Sequence, residues 1–352
     1  MSFRPIYKLR DSIKNFDKHL YLRHVSYISA NPLAINFIEK KRNYFIWTIF
    51  LYGNPNAVHL IEDHFKKLDL ATLNEIDLTF WDELSGNPNA LHIMKKHIDK
   101  INWIEISKYT GDIDFLEEHI DKLNWEWISR NPNAIPFIEK HLDKIEWQYL
   151  CQNENAVHIL EQNQDKIHWP FLSSNENAVK LLEQNIEKID WMFLSSNANA
   201  VHLLEKYSEN IDWTCICENP KAIHLIEQNM DKADIETLSE NPAAIHILEK
   251  NLDKVDWHLL SRNVNAVHIL EKNLDKVNWR LFLKNPSIFV LDKETMRQQI
   301  RDFGKIKKNN EDFGFAEELV ATALHPSRLE RELELYNYNI ATDEYMEWDL
   351  YQ

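Results

Sequence analysis

Histidine and glutamate recur along this chain at the spacing of metal ligands. Histidine stands at His59, His92, His158, His202, His224, His246 and His268, and a glutamate column from Glu39 to Glu271 runs three residues behind it. His-x-x-Glu puts two potential ligands on one helix face, yet a closed zinc site needs four and a catalytic one three. Equivalent residues on neighbouring packed helices stand roughly 8–10 Å apart, whereas zinc holds each imidazole nitrogen at about 2.0–2.1 Å. The columns therefore read as a solvated helix edge, with weak surface pairs such as Glu249 with Lys250 and Asp253 with Lys254. No metal ligand set is assigned.

Tryptophan forms a second column at Trp47, Trp81, Trp103, Trp125, Trp147, Trp169, Trp191, Trp213, Trp257 and Trp279, broken only by Ile235. Such a ladder could stack bases or build an aromatic cage. Each tryptophan also lies three residues before an apolar position, as Trp257 does before Leu260, which is the spacing of a core face. On that reading Trp191→Ala costs about 3–5 kcal/mol. Of the three cysteines, Cys151 and Cys217 occupy a slot usually held by serine, three repeats apart and so beyond the bridging limit of about 7 Å. With Cys215 they read as reduced thiols. No glycine-rich phosphate loop, nucleophile elbow or Cys-x-x-Cys occurs, so the chain reads as non-enzymatic and without a cofactor.

The columns exist because one phrase returns every 22 residues. An asparagine opens each unit at Asn87, Asn131, Asn153, Asn175, Asn197, Asn219, Asn241, Asn263 and Asn285, with Tyr109 in the one irregular slot. A strict period of this length marks a stack of small modules, each burying its apolar face against the next. Within the unit from Asn241 to Arg262, Asn241-Pro242 fits an N-cap followed by proline at the first helical position. Ala244, Ile245 and Leu248 share one helical face, joined by Ile247. This first helix, about nine residues long, is expected to end at Asn251, whose type tolerates the left-handed conformation. Asp256 caps a second helix, with Val255 and Leu260 spaced as a hydrophobic staple. Near the start the register slips: Asn31 and Asn54 are 23 residues apart and Asn54 and Asn87 are 33 apart. The extra stretch from Leu68 to Phe80 resembles a duplicated second helix that bends or caps the stack locally.

Comparison of the units separates invariant slots from free ones. The freest are two positions of the second helix, four residues apart and on one face. Toward the C-terminal half they are Met192 and Ser196, Thr214 and Glu218, Glu236 and Glu240, His258 and Arg262, and Arg280 and Lys284. This stripe passes from neutral to acidic to basic. It is the candidate partner surface, since stacked repeats present an extended face to other proteins.

Composition narrows the partners. Hydrophobic residues make up 44% of the 352 positions and glycine accounts for only 5, which excludes disorder and a loop-rich fold. A net charge of −16 opposes a phosphate backbone, so nucleic acid is disfavoured as a partner, including one-base-per-repeat RNA recognition. The N-terminus, Met1-Ser2-Phe3-Arg4-Pro5, has no signal-peptide core and no 18-residue apolar run occurs, which points away from membranes and toward a cytosolic chain. The expected architecture is all-α: an α-solenoid of short helix-turn-helix repeats over residues 31–284, irregular over 54–86, with an N-terminal cap at 1–30 and a C-terminal helical cap at 285–352.

The Asn-Pro-x-Ala-Ile/Val-His phrase, the Asp-Trp step, the exit Asn285-Pro286-Ser287-Ile288-Phe289 and the segment His325-Pro326-Ser327-Arg328 together resemble a family of repeat proteins encoded by amoeba-infecting giant DNA viruses. The resemblance covers nearly the whole chain. It implies a viral protein in the cytoplasm of an infected cell or in the particle, and it carries no catalytic residues across. His325 and Pro326 read as the start of the last helix, with Arg328 facing solvent or a carboxylate. The expected function is a non-enzymatic scaffold that binds a host or viral protein; the alternative is a structural component of the virion.

Overall fold

A computed structural model describes residues 6–11, 13, 26–40, 49–68, 76–296 and 298. Trp47, most of the extra stretch after Leu68, and the C-terminal segment with His325, Pro326 and Arg328 lie outside the described residues. The described chain is mostly helical, and its one sheet pairs strand β1 (Tyr7–Leu9) with β2 (Phe289–Leu291). Two compact bodies divide it: Leu9–Val290, and a smaller one of Met1–Lys8 with Leu291–Gln352. In the smaller body the Asp292 N–H donates to Ile6 O at 2.7 Å. The Asp292 carboxylate in turn accepts from the Thr295 N–H at 3.2 Å.

The unit from Asn175 to Ser196 shows how the larger body is built. Asn175 Oδ1 accepts from the Asn177 N–H at 3.0 Å and starts the 3-10 turn Glu176–Ala178, which runs into the helix Val179–Glu183. Asp190 Oδ1 accepts from the Met192 and Phe193 N–H groups and starts the second helix, Trp191–Ser196. Both are N-caps of the expected kind, satisfying donors that a short helix leaves orphaned. Between the helices the chain does not turn left-handed. Asn185 has φ −138° and ψ 48°, and its side-chain amide donates to Leu181 O at 3.0 Å. Asn163, Asn229, Asn251 and Asn273 do the same to the carbonyl four residues back. The asparagine is there because its amide covers a helix-end carbonyl as the backbone passes into the 3-10 turn Ile186–Lys188.

Leu181, Leu182 and Leu194 are buried, and Ala178 is 0% exposed where the unit meets its neighbour. Trp81 Nε1 and Arg130 Nε are buried without a hydrogen-bond partner, but the buried serine slot is satisfied from both sides. Ser195 Oγ donates to Trp191 O at 2.7 Å and accepts from the Asp212 N–H of the next unit at 3.0 Å. Cys151 accepts from the His168 N–H at 3.3 Å, and Cys217 donates to Trp213 O at 3.2 Å, so both fill the serine slot.

The unit-opening asparagines join the units. Asn197 Nδ2 donates to Ser173 O at 3.0 Å and to Asn175 O at 3.1 Å, while its Oδ1 accepts from the Asn199 N–H. This slot needs two donors and an acceptor on one short side chain, which asparagine has and aspartate lacks. The rung repeats from Asn131 to Asn285. It persists across the 33-residue interval, where Asn87 Nδ2 donates to Tyr52 O and Asn54 O, both at 2.9 Å. At the irregular slot the rung is Thr110, not Tyr109. Asn131 donates to Thr110 O at 2.8 Å, Thr110 is 8% exposed, and Tyr109 is 45% exposed. Threonine supplies the cap through its hydroxyl, which accepts from the Asp112 N–H.

Thr110 has no amide to donate to Asn87, but the first described rung, Asn31, does reach the last. Asn31 Nδ2 donates to Leu283 O at 3.3 Å and to Asn285 O at 2.9 Å, repeating between first and last units the pattern found between consecutive ones. Arg10 adds a backbone bond to Ile288 O and a side-chain bond from Nε to Ser287 O at 2.7 Å. Asn285, assigned from sequence to a cap, is a rung, and residues 26–30 lead into the first rung as a second helix does.

Candidate functional site

The histidine column pairs between units rather than within them. His202 Nε2 lies 2.8 Å from Glu183, His224 2.8 Å from Glu205, His246 2.7 Å from Glu227 and His268 2.8 Å from Glu249. His246 thus meets the glutamate of the preceding unit, not Glu249 of its own. Stacking sets one helix edge beside the next, so the partner is the one 19 residues back. Connector pairs of the Asp-Lys type occur at Asp99–Lys100 and Asp165–Lys166. Among the described residues no group of three or more histidine, cysteine, aspartate or glutamate side chains could hold a metal ion.

The tryptophans are only partly a core feature. Trp81 is 1% and Trp279 9% exposed, but Trp103, Trp125, Trp147, Trp169, Trp191, Trp213 and Trp257 are half-buried. Their rings roof the following unit, as Trp103 stacks on Phe115 at 5.8 Å and Trp125 on Phe137 at 5.7 Å. A connector lysine covers the outer face: Lys188 over Trp169, Lys232 over Trp213 and Lys276 over Trp257, at 4.6–4.8 Å. The fully buried slot is the one three residues on, with Leu150, Leu172, Leu194, Leu238 and Leu260 at 0% exposure. The cost expected for Trp191→Ala falls accordingly, to about 2–3 kcal/mol.

The cysteines are free. Burial pushes the Cys151 and Cys217 thiols up, and burial with the neighbouring Asp212 carboxylate raises Cys215 to about 11. Thiols shifted this way hold little thiolate at neutral pH and make poor nucleophiles.

The candidate partner residues all lie on the second helices. Met192 is 46% exposed, and Thr214, Glu218, Glu236, His258, Arg262 and Arg280 are exposed, whereas Ser196, Glu240 and Lys284 are half-buried. Neighbouring rungs touch along this stripe: Arg262 Nε pairs with Glu240 at 3.1 Å, and the Asn278 amide with His258 Nδ1 at 2.9 Å. Ser196 is turned to its own helix, donating to Phe193 O.

A second column on the same face was not singled out from sequence. One residue after the first stripe position come Trp127, Tyr149, Phe171 and Phe193, all half-buried, and further round the circuit Tyr27 and Phe50. The Arg130 guanidinium lies 4.9 Å from the Trp127 ring and 4.3 Å from Tyr149. Tyr149 and Phe171 are 6.1 Å apart, Phe171 and Phe193 6.0 Å, and Tyr27 and Phe50 5.0 Å. These separations are shorter than the roughly 8–10 Å between packed helix axes, so the rings of neighbouring rungs touch. The Lys284 ammonium lies 4.7 Å from the Phe50 ring and 5.9 Å from the Tyr27 ring. The aromatic run at 22-residue spacing was visible in the sequence; its orientation was not.

Charge on this face is unevenly solvated. Burial, reinforced by Arg280 and opposed by Glu83, pushes the Lys284 ammonium below its ordinary range. Burial also raises the Glu83 carboxyl, with Lys284 opposing and Glu105 and Asp82 reinforcing. Among the described residues no helix is long and apolar enough to cross a membrane. No family model, no curated protein and no solved structure matches the chain.

Proposed function

We propose that the body Leu9–Val290 is an α-solenoid of 22-residue helix-turn-helix units closed on itself, and that it is a non-enzymatic scaffold binding another protein on the face of its second helices. The observation that carries this reading is the contrast between columns. The asparagine and serine columns spend their polar groups on neighbouring units, and the histidine column is paired to glutamate. The second-helix face alone combines half-buried aromatic rings with side chains that change in size and charge from rung to rung. Conserved architecture with a varied surface is how stacked repeats recognise proteins. The resemblance to giant-virus repeat proteins supports action in an infected cell, on a host or viral partner. A closed ladder leaves no end on which a rod would grow, which weighs against a purely structural virion component.

The test is crosslinking mass spectrometry on tagged protein from the cell that makes it, beside the variant Glu236→Lys, Glu240→Lys, Arg262→Glu, Arg280→Glu. This variant keeps the Arg262–Glu240 pair in reversed sense, so its melting point should stay near wild type. One protein crosslinked from Lys284 and lost from the variant supports the scaffold reading. Unchanged capture removes this face from it, and recovery chiefly in purified particles, bound to capsid or core proteins, supports the structural alternative.

A further inference from the structure

The lysines that cover the tryptophan rings are interrupted at one unit. From Lys100 to Lys276 every connector ends in lysine at the 22-residue spacing, except that Asn210 stands where the lysine between Lys188 and Lys232 would be. Each such lysine serves the ring 19 residues back, in the preceding unit. Lys122 lies 5.1 Å from the Trp103 ring and Lys144 5.7 Å from Trp125, as Lys188, Lys232 and Lys276 lie 4.6–4.8 Å from Trp169, Trp213 and Trp257. Lys166 instead pairs with its neighbour Asp165 at 3.7 Å. By the same step the ring that belongs to Asn210 is Trp191, which is half-buried and has no cation over it among the described contacts.

Tyr207 does not fill the place of the lysine. It stands 5.4 Å from Trp191 in the slot held by His119, and His119 lies 5.1 Å from Trp103 while Lys122 still covers that same indole. The Tyr207 ring has its own cation, Lys206, at 5.1 Å. The backbone is unaltered as well: the Asn210 N–H donates to Tyr207 O at 3.0 Å, as the Lys188 N–H does to Asn185 O at 2.9 Å. A carboxylate precedes the lysine in each connector, and Asp99 and Asp165 pair with theirs at 3.6 and 3.7 Å. Its counterpart Glu209 is exposed and makes no ion pair among the described residues. The two groups that receive a connector lysine elsewhere, an indole face and a neighbouring carboxylate, are both without one here.

We propose that Trp191, Tyr207 and Glu209 form a receptor for a lysine side chain of another protein, which takes the place that the chain's own lysine takes in neighbouring units. The ring face attracts an ammonium and not a neutral side chain of similar length, and the net charge of −16 favours approach of a basic partner. None of the three residues belongs to the second-helix stripe, so the inference goes beyond the scaffold reading and does not depend on it.

The probe is Nα-acetyl-lysine methylamide, titrated into the full protein at constant ionic strength and followed through the tryptophan indole N–H signals by NMR. Trp191→Phe identifies the Trp191 signal. The expected result is a saturable shift of that signal, with affinity roughly two- to fivefold above that of the neutral Nα-acetyl-norleucine methylamide, the ratio of one exposed cation–π contact. Asn210→Lys lets the chain fill the site itself, so it should abolish the shift and raise the melting midpoint by about 1–3 °C. Lys232→Asn should make the Trp213 signal respond as that of Trp191 does. Equal binding of the lysine and norleucine amides, a Trp191 response retained in Asn210→Lys, or a melting midpoint lowered by that substitution overturns the proposal. Tetramethylammonium binding about tenfold tighter than the lysine amide overturns it too, by assigning the site to a free quaternary ammonium.

Discussion

Closure of the asparagine ladder can be tested at one side chain. Asn31 makes the same three bonds as an interior rung: donation to Leu283 O and Asn285 O, and acceptance from the Leu33 N–H at 3.0 Å. Aspartate at this position keeps the acceptor for Leu33 and removes both donors, so Asn31→Asp isolates the seam from the local cap, where aspartate and asparagine are about equivalent. Asn285 O keeps the Ile288 N–H and loses one bond of about 0.5–1.5 kcal/mol, while Leu283 O loses the Asn31 donor and is left unpaired at about 1–3 kcal/mol. Asn31 is 0% exposed, so the carboxylate would also face those carbonyls away from water. The total is about 2–4 kcal/mol, and Asn197→Asp, at 1% exposure with the equivalent partners inside the array, should cost a similar amount. Urea unfolding followed by tryptophan fluorescence at neutral pH measures both, compared at equal slope. The buried carboxyl would titrate above its unfolded value, so the cost should shrink as pH falls through the carboxylate range. If Asn31→Asp stays within about 0.5 kcal/mol of wild type while Asn197→Asp costs several, the seam is open in solution and the closed ladder is wrong.

Three further outcomes are expected. Ser195→Ala leaves the Asp212 N–H without its acceptor and should cost about 1–3 kcal/mol, whereas Ser195→Cys should cost less because Cys151 and Cys217 already serve that slot; thermal melts of the pair decide it. A Cβ at Gly111 would sit 2.8 Å from Asn133 O, so Gly111→Ala should destabilise by about 1–3 kcal/mol, and a wild-type melting point would show that the irregular rung has room to yield. Glu83 carries a raised carboxyl pKa, so its contribution to stability is present at low pH and lost as pH rises through its folded value. Glu83→Gln should therefore raise the melting point at pH 7 and converge with wild type in acid, and a gap that widens toward acid would contradict the burial cause.

The chain's own sequence determined the unit and its local hydrogen bonding. The 22-residue period, the asparagine and aspartate caps, the serine slot filled by Cys151 and Cys217, and the staple residues Val255 and Leu260 all act within one or two turns, so residue type and spacing suffice to place them. Three features turned on which neighbour the stacking brings close. His246 found the glutamate of the preceding unit, Thr110 replaced Tyr109 as the rung, and Trp191 kept part of its ring at the surface beside Tyr207. Only the tertiary structure decided that Asn31 meets Asn285 and that Tyr149, Phe171 and Phe193 touch ring to ring. Both depend on which units packing brings together, which no single motif encodes. The Asn31 bonds to Leu283 and Asn285 span 252 and 254 residues, so they form only when the units between them are in place.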